Sequence, residues 1–262
     1  MKPPLTYYGG KQMLSKLIIS LIPPHNIYCE PFFGGGAVFF SKTPSRLEVV
    51  NDTNGELINF YRVIKTKFKK LEKEVKCTLH SRESHQTAKI ILGYPQLFDE
   101  VKRAWAIWTL ANQSYASKLN GSWGYDKKEN KSVKQLQSKR ISFTNDYAER
   151  MEQVQIENRD ALKIINIWDN KDAFFYCDPP YINTNQGHYK GYNKEDFEKL
   201  LILLSKVKGK FLLSSYPSEM LTKYAKQNKW SMKKVDMPLC VRSNSTSKAK
   251  RKVEVLTANF KI

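Results

Sequence analysis

Asp178-Pro179-Pro180-Tyr181 places a carboxylate, a carbonyl held by two prolines and an aromatic ring in four consecutive positions. Such a set can grip a planar base that carries an amino group: the carboxylate and the carbonyl accept its N–H bonds, and the ring covers its face. Asp-Pro-Pro is also ordinary punctuation after a strand, since prolines preset a turn and Asp caps it. Taken alone, the tetrapeptide leaves both readings open.

The element in front of it favours chemistry. Ala173-Phe174-Phe175-Tyr176-Cys177 is an unbroken apolar run that predicts a buried parallel strand. The tetrapeptide then sits at a strand's carboxyl end, where ligands bind in open α/β sheets. The amino-terminal third has a matching pattern. Tyr7-Tyr8-Gly9-Gly10-Lys11 precedes an amphipathic stretch from Met13 to Ile22, and the short apolar segment Ile27-Tyr28-Cys29 leads into Glu30-Pro31-Phe32-Phe33-Gly34-Gly35-Gly36. Leu47-Glu48-Val49-Val50-Asn51-Asp52 then reads as a second strand ending in an acid. Strand, glycine turn, helix, strand, acid is the order of a doubly wound cofactor site, in which glycines admit the ligand to the backbone and the acid takes ribose hydroxyls. A Walker loop is excluded by the missing Gly-Lys-Ser/Thr ending. A dinucleotide fingerprint fits poorly, because Phe39 stands where the last glycine of G-x-G-x-x-G belongs.

Further along, Val154 to Glu157 predicts a strand, and Asp160 precedes a helix from Ala161 to about Ile167, for which it is a natural cap. Asn183 to Asn193 is polar, with Gly187, Gly191, Tyr189 and Tyr192, and predicts a mobile loop that orders over substrate. Helices are predicted over Glu195–Val207 and Met220–Gln227, and strands over Lys210–Ser214, Ser231–Asp236 and Lys252–Phe260. The expected fold is α/β, a doubly wound, mostly parallel sheet. Glu56 to Lys67 reads as a helix, and the basic, helical pattern that follows through about Leu119 contains no convincing strand. Asn112 to Tyr125 mixes Tyr115, Lys118, Asn120, Trp123 and Tyr125 around Gly121 and Gly124, as in a polar hairpin or loop with aromatic tips.

Taken in order, aromatic-Gly-Gly-Lys, Glu-Pro-Phe-x-Gly-x-Gly, Asn-Asp-x-Asn with Leu57-Ile58-Asn59-Phe60-Tyr61 behind it, Asp-Pro-Pro-Tyr, and a tail with Arg242-Ser243 and Glu254-Val255-Leu256 through Asn259-Phe260 form a signature over nearly the whole length. The chain resembles the Dam-like, D12-class DNA adenine N6-methyltransferases of alpha-type motif order. The extra glycine Gly35 is the main departure from the pattern. The resemblance implies an S-adenosylmethionine-binding catalytic domain, residues 1–60 and 151–262, with an inserted, mainly helical target-recognition domain at 61–150. It implies Lys11 at the cofactor's carboxylate, Gly34 and Gly36 beside its methionine part, Asp52 on the ribose and Asp160 at the adenine. Tyr7, Tyr8, Gly10, Glu30, Pro31 and Phe32 would line the pocket, with Asp178 bordering it. Asp178, Pro179, Pro180 and Tyr181 would act on the N6 amine of an adenine flipped out of duplex DNA. Lys118, Asn120 and Arg140, with Arg242 and Lys248 from a basic loop, have the chemistry of DNA contacts. The resemblance leaves three settings open: a restriction endonuclease partner in the same system with no stable complex implied, a phage-borne enzyme or a solitary one. An RNA or other amine-directed methyltransferase of the same fold, or a catalytically silent DNA-binding relative, stays as an alternative.

Composition is consistent with this. The 262 residues can build one large core or a core with an insertion, and 44 Lys and Arg against 25 acids give a formal charge of +19. Such a surplus favours a polyanionic partner. No apolar stretch is long enough to span a membrane, and Met1-Lys2-Pro3-Pro4 does not begin a signal peptide, so a cytoplasmic protein is expected. Cys29, Cys77, Cys177 and Cys240 lie far apart and read as reduced thiols. His25, His80, His85 and His188 lack metal-ligand spacing, and no metal is expected.

Overall fold

The computed structural model describes residues 1–7, 9–127, 129–182, 191–238 and 251–262. Its strands are β1 Ile27–Glu30, β2 Leu47–Asn51, β3 Val154–Glu157, β4 Ala173–Cys177, β5 Lys210–Ser215, β6 Ser231–Pro238 and β7 Arg251–Ala258. They form a seven-stranded sheet in the order β3-β2-β1-β4-β5-β7-β6. β4 runs parallel to both β1 and β5, whereas β7 is antiparallel to β5 and β6. The expected mostly parallel α/β sheet is thus present. Among the described residues no helix is long and apolar enough to cross a membrane.

The chain groups into two compact units. One comprises Met1–Ile19, Phe33–Thr43 and Val50–Arg159, and the other Ser20–Phe32, Pro44–Val49 and Asp160–Ile262.

In the second unit every residue of β4 is buried, as a continuous apolar run requires of an interior strand. Phe175, with Phe211 and Leu213 of β5, packs in one cluster with three helices: α8 Ala161–Trp168 through Ile164 and Ile165, α9 Lys194–Leu204 through Leu200, Leu201 and Leu204, and α10 Glu219–Gln227 through Leu221. Asn193 and Asp196 form a capping box at the start of α9. That helix stops at Leu204, short of the expected Val207. The chain must then bend into Gly209, where a Cβ would lie 2.7 Å from the Ala173 carbonyl oxygen. β7 likewise ends at Ala258 instead of Phe260. The Asn259 side chain leaves the ladder to accept from Phe211 N at 3.0 Å and donate to Gly209 O at 2.9 Å, which pins the start of β5.

The first unit is mainly helical. α1 covers Ser15–Ser20 of the amphipathic stretch Met13 to Ile22, and α2 is the short Ala37–Ser41. α3, Gly55–Cys77, runs well beyond the expected end at Lys67, but Lys67 itself is non-helical at φ −138° and ψ 32°, so the element is two helical pieces joined at a kink. α4 Arg82–Gly93, α5 Glu100–Gln113, α6 Lys131–Ile141 and α7 Asp146–Met151 complete it. Their core is aromatic: Phe68 of α3 stacks on Phe143 at 5.3 Å, and Trp108 of α5 meets the same ring edge-on. Between residues 61 and 150 the described chain has helices and one isolated antiparallel bridge, Ser114 to Trp123.

Candidate active site

The glycine turn is shaped by contacts that a side chain would disrupt. Gly34 and Gly36 adopt φ of 50° and 65°, the left-handed region in which glycine carries no steric cost. A Cβ on Gly36 would lie 2.7 Å from a ring carbon of Phe33, and one on Gly35 would lie 2.8 Å from the Tyr7 Cβ. The extra glycine therefore has a physical reason: Tyr7, itself buried, lies against the turn.

Asp52, 2% exposed, fastens this turn. Its Oδ2 accepts from Gly34 N and its Oδ1 from Asn54 N, each at 2.9 Å, while Tyr61 donates its hydroxyl to Gly34 O at 2.9 Å. Asn158 Nδ2 donates to the Asp52 carbonyl at 2.7 Å, and the Asn51 side chain both donates to Arg159 O and accepts from Arg159 N. Asn54 then caps α3 by accepting from Glu56 N and Leu57 N. The sequence motif is thus a backbone clasp as well as a carboxylate. Lys11, 6% exposed, donates to Gly9 O at 3.1 Å, and Gly10 N bonds Tyr7 O, so the aromatic-Gly-Gly-Lys segment closes on itself as a tight turn.

In the second unit, Glu30 is buried at the end of β1 and accepts from the Tyr28 hydroxyl at 2.5 Å. Burial first, and then the Glu30 charge, push the Tyr28 hydroxyl well above its ordinary pKa, so it remains a donor. Pro31 is buried, and Phe32 is half-buried against the apolar cluster of this unit. Its neighbour Phe33 belongs to the other unit, among Phe39, Phe40 and Tyr61.

Asp178 follows β4 directly and is half-buried, with Pro179 buried behind it. Burial and, next, the Asp178 charge raise the hydroxyl pKa of Tyr176 and Tyr181 and the thiol pKa of Cys177, which keeps these groups neutral beside the carboxylate. Tyr181 donates its hydroxyl to Glu254 Oε2 at 3.1 Å, and its ring meets Tyr216 edge-on at 4.5 Å. Glu254, on β7 and 1% exposed, also accepts from Lys252 Nζ at 2.7 Å. Asp160 is exposed, and its Oδ1 accepts from Leu162 N and Lys163 N at the start of α8, which is the expected capping role.

The residues with DNA-contact chemistry are spread out. Lys118 is half-buried and Asn120 exposed in the turn that the Ser114–Trp123 bridge closes. Arg140 lines a surface cleft of about 430 Å³ with Lys76, His80 and Gln137, and its buried Nε has no hydrogen-bond partner among the described residues. His80 joins that cleft to the aromatic tips, with its ring 5.0 Å from Trp123. Trp123 stacks on Tyr125 at 5.3 Å, and the Arg82 guanidinium lies 4.8 Å above Trp123. Tyr8, Arg242, Lys248, Cys240, His188 and most of the loop expected to order over substrate (residues 183–190) lie outside the described residues. Tyr192, at that loop's end, packs on the apolar cluster of the second unit. Cys29, Cys77 and Cys177 carry thiols, the first and last buried.

Residues 7–238 match the D12 class N6 adenine-specific DNA methyltransferases. The chain belongs to that family. A type II methyltransferase, M1.LlaDCHI of Lactococcus lactis subsp. cremoris, is 27% identical over 99% of this chain and 96% of its own length. The type II methyltransferase M.MjaIII of Methanocaldococcus jannaschii is 27% identical over 75% of each. Among solved structures, a precorrin 8w decarboxylase from Methanobacterium thermoautotrophicum aligns with a TM-score of 0.42 at 10% identity, over 98% of this chain and 95% of that one, a likeness that bears no functional weight. This D12-class chain is therefore an adenine-specific DNA methyltransferase.

Glu254, Lys252 and Tyr216 gather around Tyr181 without having been expected there from the sequence. One signal was available: Glu254 is a single acid inside the apolar run Val253, Val255, Leu256. Its partners could not be read, because nothing local shows that β7 enters the sheet beside β5.

Proposed function

We propose that this enzyme methylates N6 of an adenine extruded from duplex DNA, with S-adenosylmethionine as donor. The observation that carries the reading is Asp178, half-buried at the carboxyl end of parallel β4, followed by a tyrosine whose hydroxyl is tied to a buried carboxylate. The donor set fits the cofactor. Gly34 and Gly36 hold a turn where a side chain would crowd its own neighbours, and Lys11 supplies a cation for a carboxylate. Asp52 places a buried carboxylate directly beside the glycine turn, the residue type that takes ribose hydroxyls. Asp160 accepts through Oδ1 in its cap, so its second oxygen suits an adenine amine, and Tyr7, Tyr8, Gly10, Glu30, Pro31 and Phe32 complete the lining. When bound, S-adenosylmethionine supplies an electrophilic methyl group on a sulfonium.

The protein's own groups do the rest. The Asp178 carboxylate and the Pro179 carbonyl accept the two N–H bonds of the target amine, favour a pyramidal nitrogen and stabilise the positive charge that grows on it. Tyr181 stacks on the base. Holding the amine in line can supply several kcal/mol of the barrier reduction, about the scale of proximity effects in oriented reactions. Residues 61–150 serve target recognition, with Lys118, Asn120 and Arg140 together with Arg242 and Lys248 on the DNA. The charge of +19 helps offset the unstacking cost of extrusion, about a few kcal/mol. A restriction endonuclease is the functional partner we infer from the type II names of the relatives. The test is to incubate the enzyme with unmodified duplex DNA and methyl-labelled S-adenosylmethionine and to map the label. Label on N6 of adenines at a recurring sequence is expected; label only in RNA, or none, overturns the reading.

A further inference from the structure

We infer that Glu254, held by Lys252, is a positioning residue that fixes the direction in which the Tyr181 ring points. The inference rests on the reading that Tyr181 stacks on the target base. β7 is an interior strand: Val255, Leu256, Thr257 and Ala258 are all fully buried. A carboxylate in such a strand is costly unless it is paired and hydrogen-bonded, and an apolar residue of similar size would serve the core at least as well. Glu254 has both kinds of partner. Lys252, two residues earlier and so on the same face of the strand, donates to Oε1 at 2.7 Å, and the Tyr181 hydroxyl donates to Oε2 at 3.1 Å.

The same lysine ammonium lies 5.8 Å from the Tyr216 ring centre, and Tyr216 meets Tyr181 edge-on. The tyrosine is therefore fixed at two points, its hydroxyl by Glu254 and its ring by Tyr216. A ring left to rotate about its side-chain bonds would offer the base a poorly oriented face, and the amine would spend less time in line with the methyl donor. Glu254 touches neither base nor cofactor in this scheme; it acts through Tyr181.

The test compares Glu254→Ala, Glu254→Gln, Tyr181→Phe, Tyr181→Ala and the double variant Tyr181→Phe/Glu254→Ala. Three readouts are taken: turnover on a duplex, fluorescence of 2-aminopurine at the target position, and S-adenosylmethionine affinity. Glu254→Ala is expected to lower kcat about tenfold or more with cofactor affinity nearly unchanged, the signature of lost orientation rather than lost binding. Glu254→Gln, which keeps an acceptor for the hydroxyl, is expected to recover part of that loss. Adding Glu254→Ala to Tyr181→Phe is expected to cost little more, because the bond is already gone. Undiminished kcat in Glu254→Ala, or full additivity in the double variant, overturns the inference. If Glu254→Ala does not fold, Tyr181→Phe decides: the ring is kept, so wild-type kcat there overturns it. Normal turnover and fluorescence in Tyr181→Ala would instead bring down the stacking reading itself.

Discussion

The strand-end motifs and the basic helical segment hold their charges in opposite ways. Asp52 and Glu254 are almost fully buried, and their oxygens accept from backbone N–H groups, a tyrosine hydroxyl or a lysine of their own unit. In residues 61–150, Arg82 lies above an aromatic ring, Asn120 is exposed and Arg140 faces an open cleft. The first arrangement is held by hydrogen bonds within the protein. On the function proposed above, the second would spread a weak, additive attraction for DNA over its cations. Single substitutions should therefore be severe in one region and graded in the other.

The largest expected effect is at Asp178. Asp178→Ala should lower methyl transfer by about a thousandfold or more, while calorimetry shows S-adenosylmethionine binding changed only a few-fold. An active variant would remove the carboxylate from the chemistry. Next, Asp52→Ala should weaken cofactor affinity by about ten- to a hundredfold, since it deletes charge-assisted bonds that shape the glycine turn. Unaltered affinity would mean that the clasp serves folding alone. Gly36→Ala follows: a left-handed backbone and a crowded Phe33 ring should cost about 1–3 kcal/mol in denaturant unfolding. A melt like that of the parent would contradict the tight turn. The smallest effect belongs to the basic segment. Arg140→Ala should reduce DNA affinity only a few-fold and flatten the salt dependence by about one counterion, with cofactor affinity untouched. A steep, sequence-selective loss there would instead give Arg140 a base-reading role and erase the contrast.

Much of the first region was legible because its signals are local. A five-residue apolar run fixed β4, and the glycines with Asp52 fixed the turn, since backbone conformation and strand burial are written in consecutive residues. The Glu254 corner was less legible because its members come from three places, residue 181, residue 216 and β7, that meet only when the sheet assembles. The kink in α3 falls where the first helical stretch was expected to end. The pattern breaks at Lys67, where the backbone does kink, yet Phe68, Leu71 and Val75 carry a fresh buried face that lets helix resume. The aromatic residues of Asn112 to Tyr125 were visible as a group, but Arg82 and His80, which cover Trp123, lie in and before a different helix.

β7 separates β5 from β6 although it is the last of the three to be synthesised. The ribosome delivers β6 before its only neighbour among the described strands exists, so that segment must wait without a strand partner until β7 pairs with both it and β5. Competence to methylate should therefore wait for β7: a nascent chain halted before Arg251 would carry Asp178-Pro179-Pro180-Tyr181 complete yet lack the strand and the acid that neighbour it.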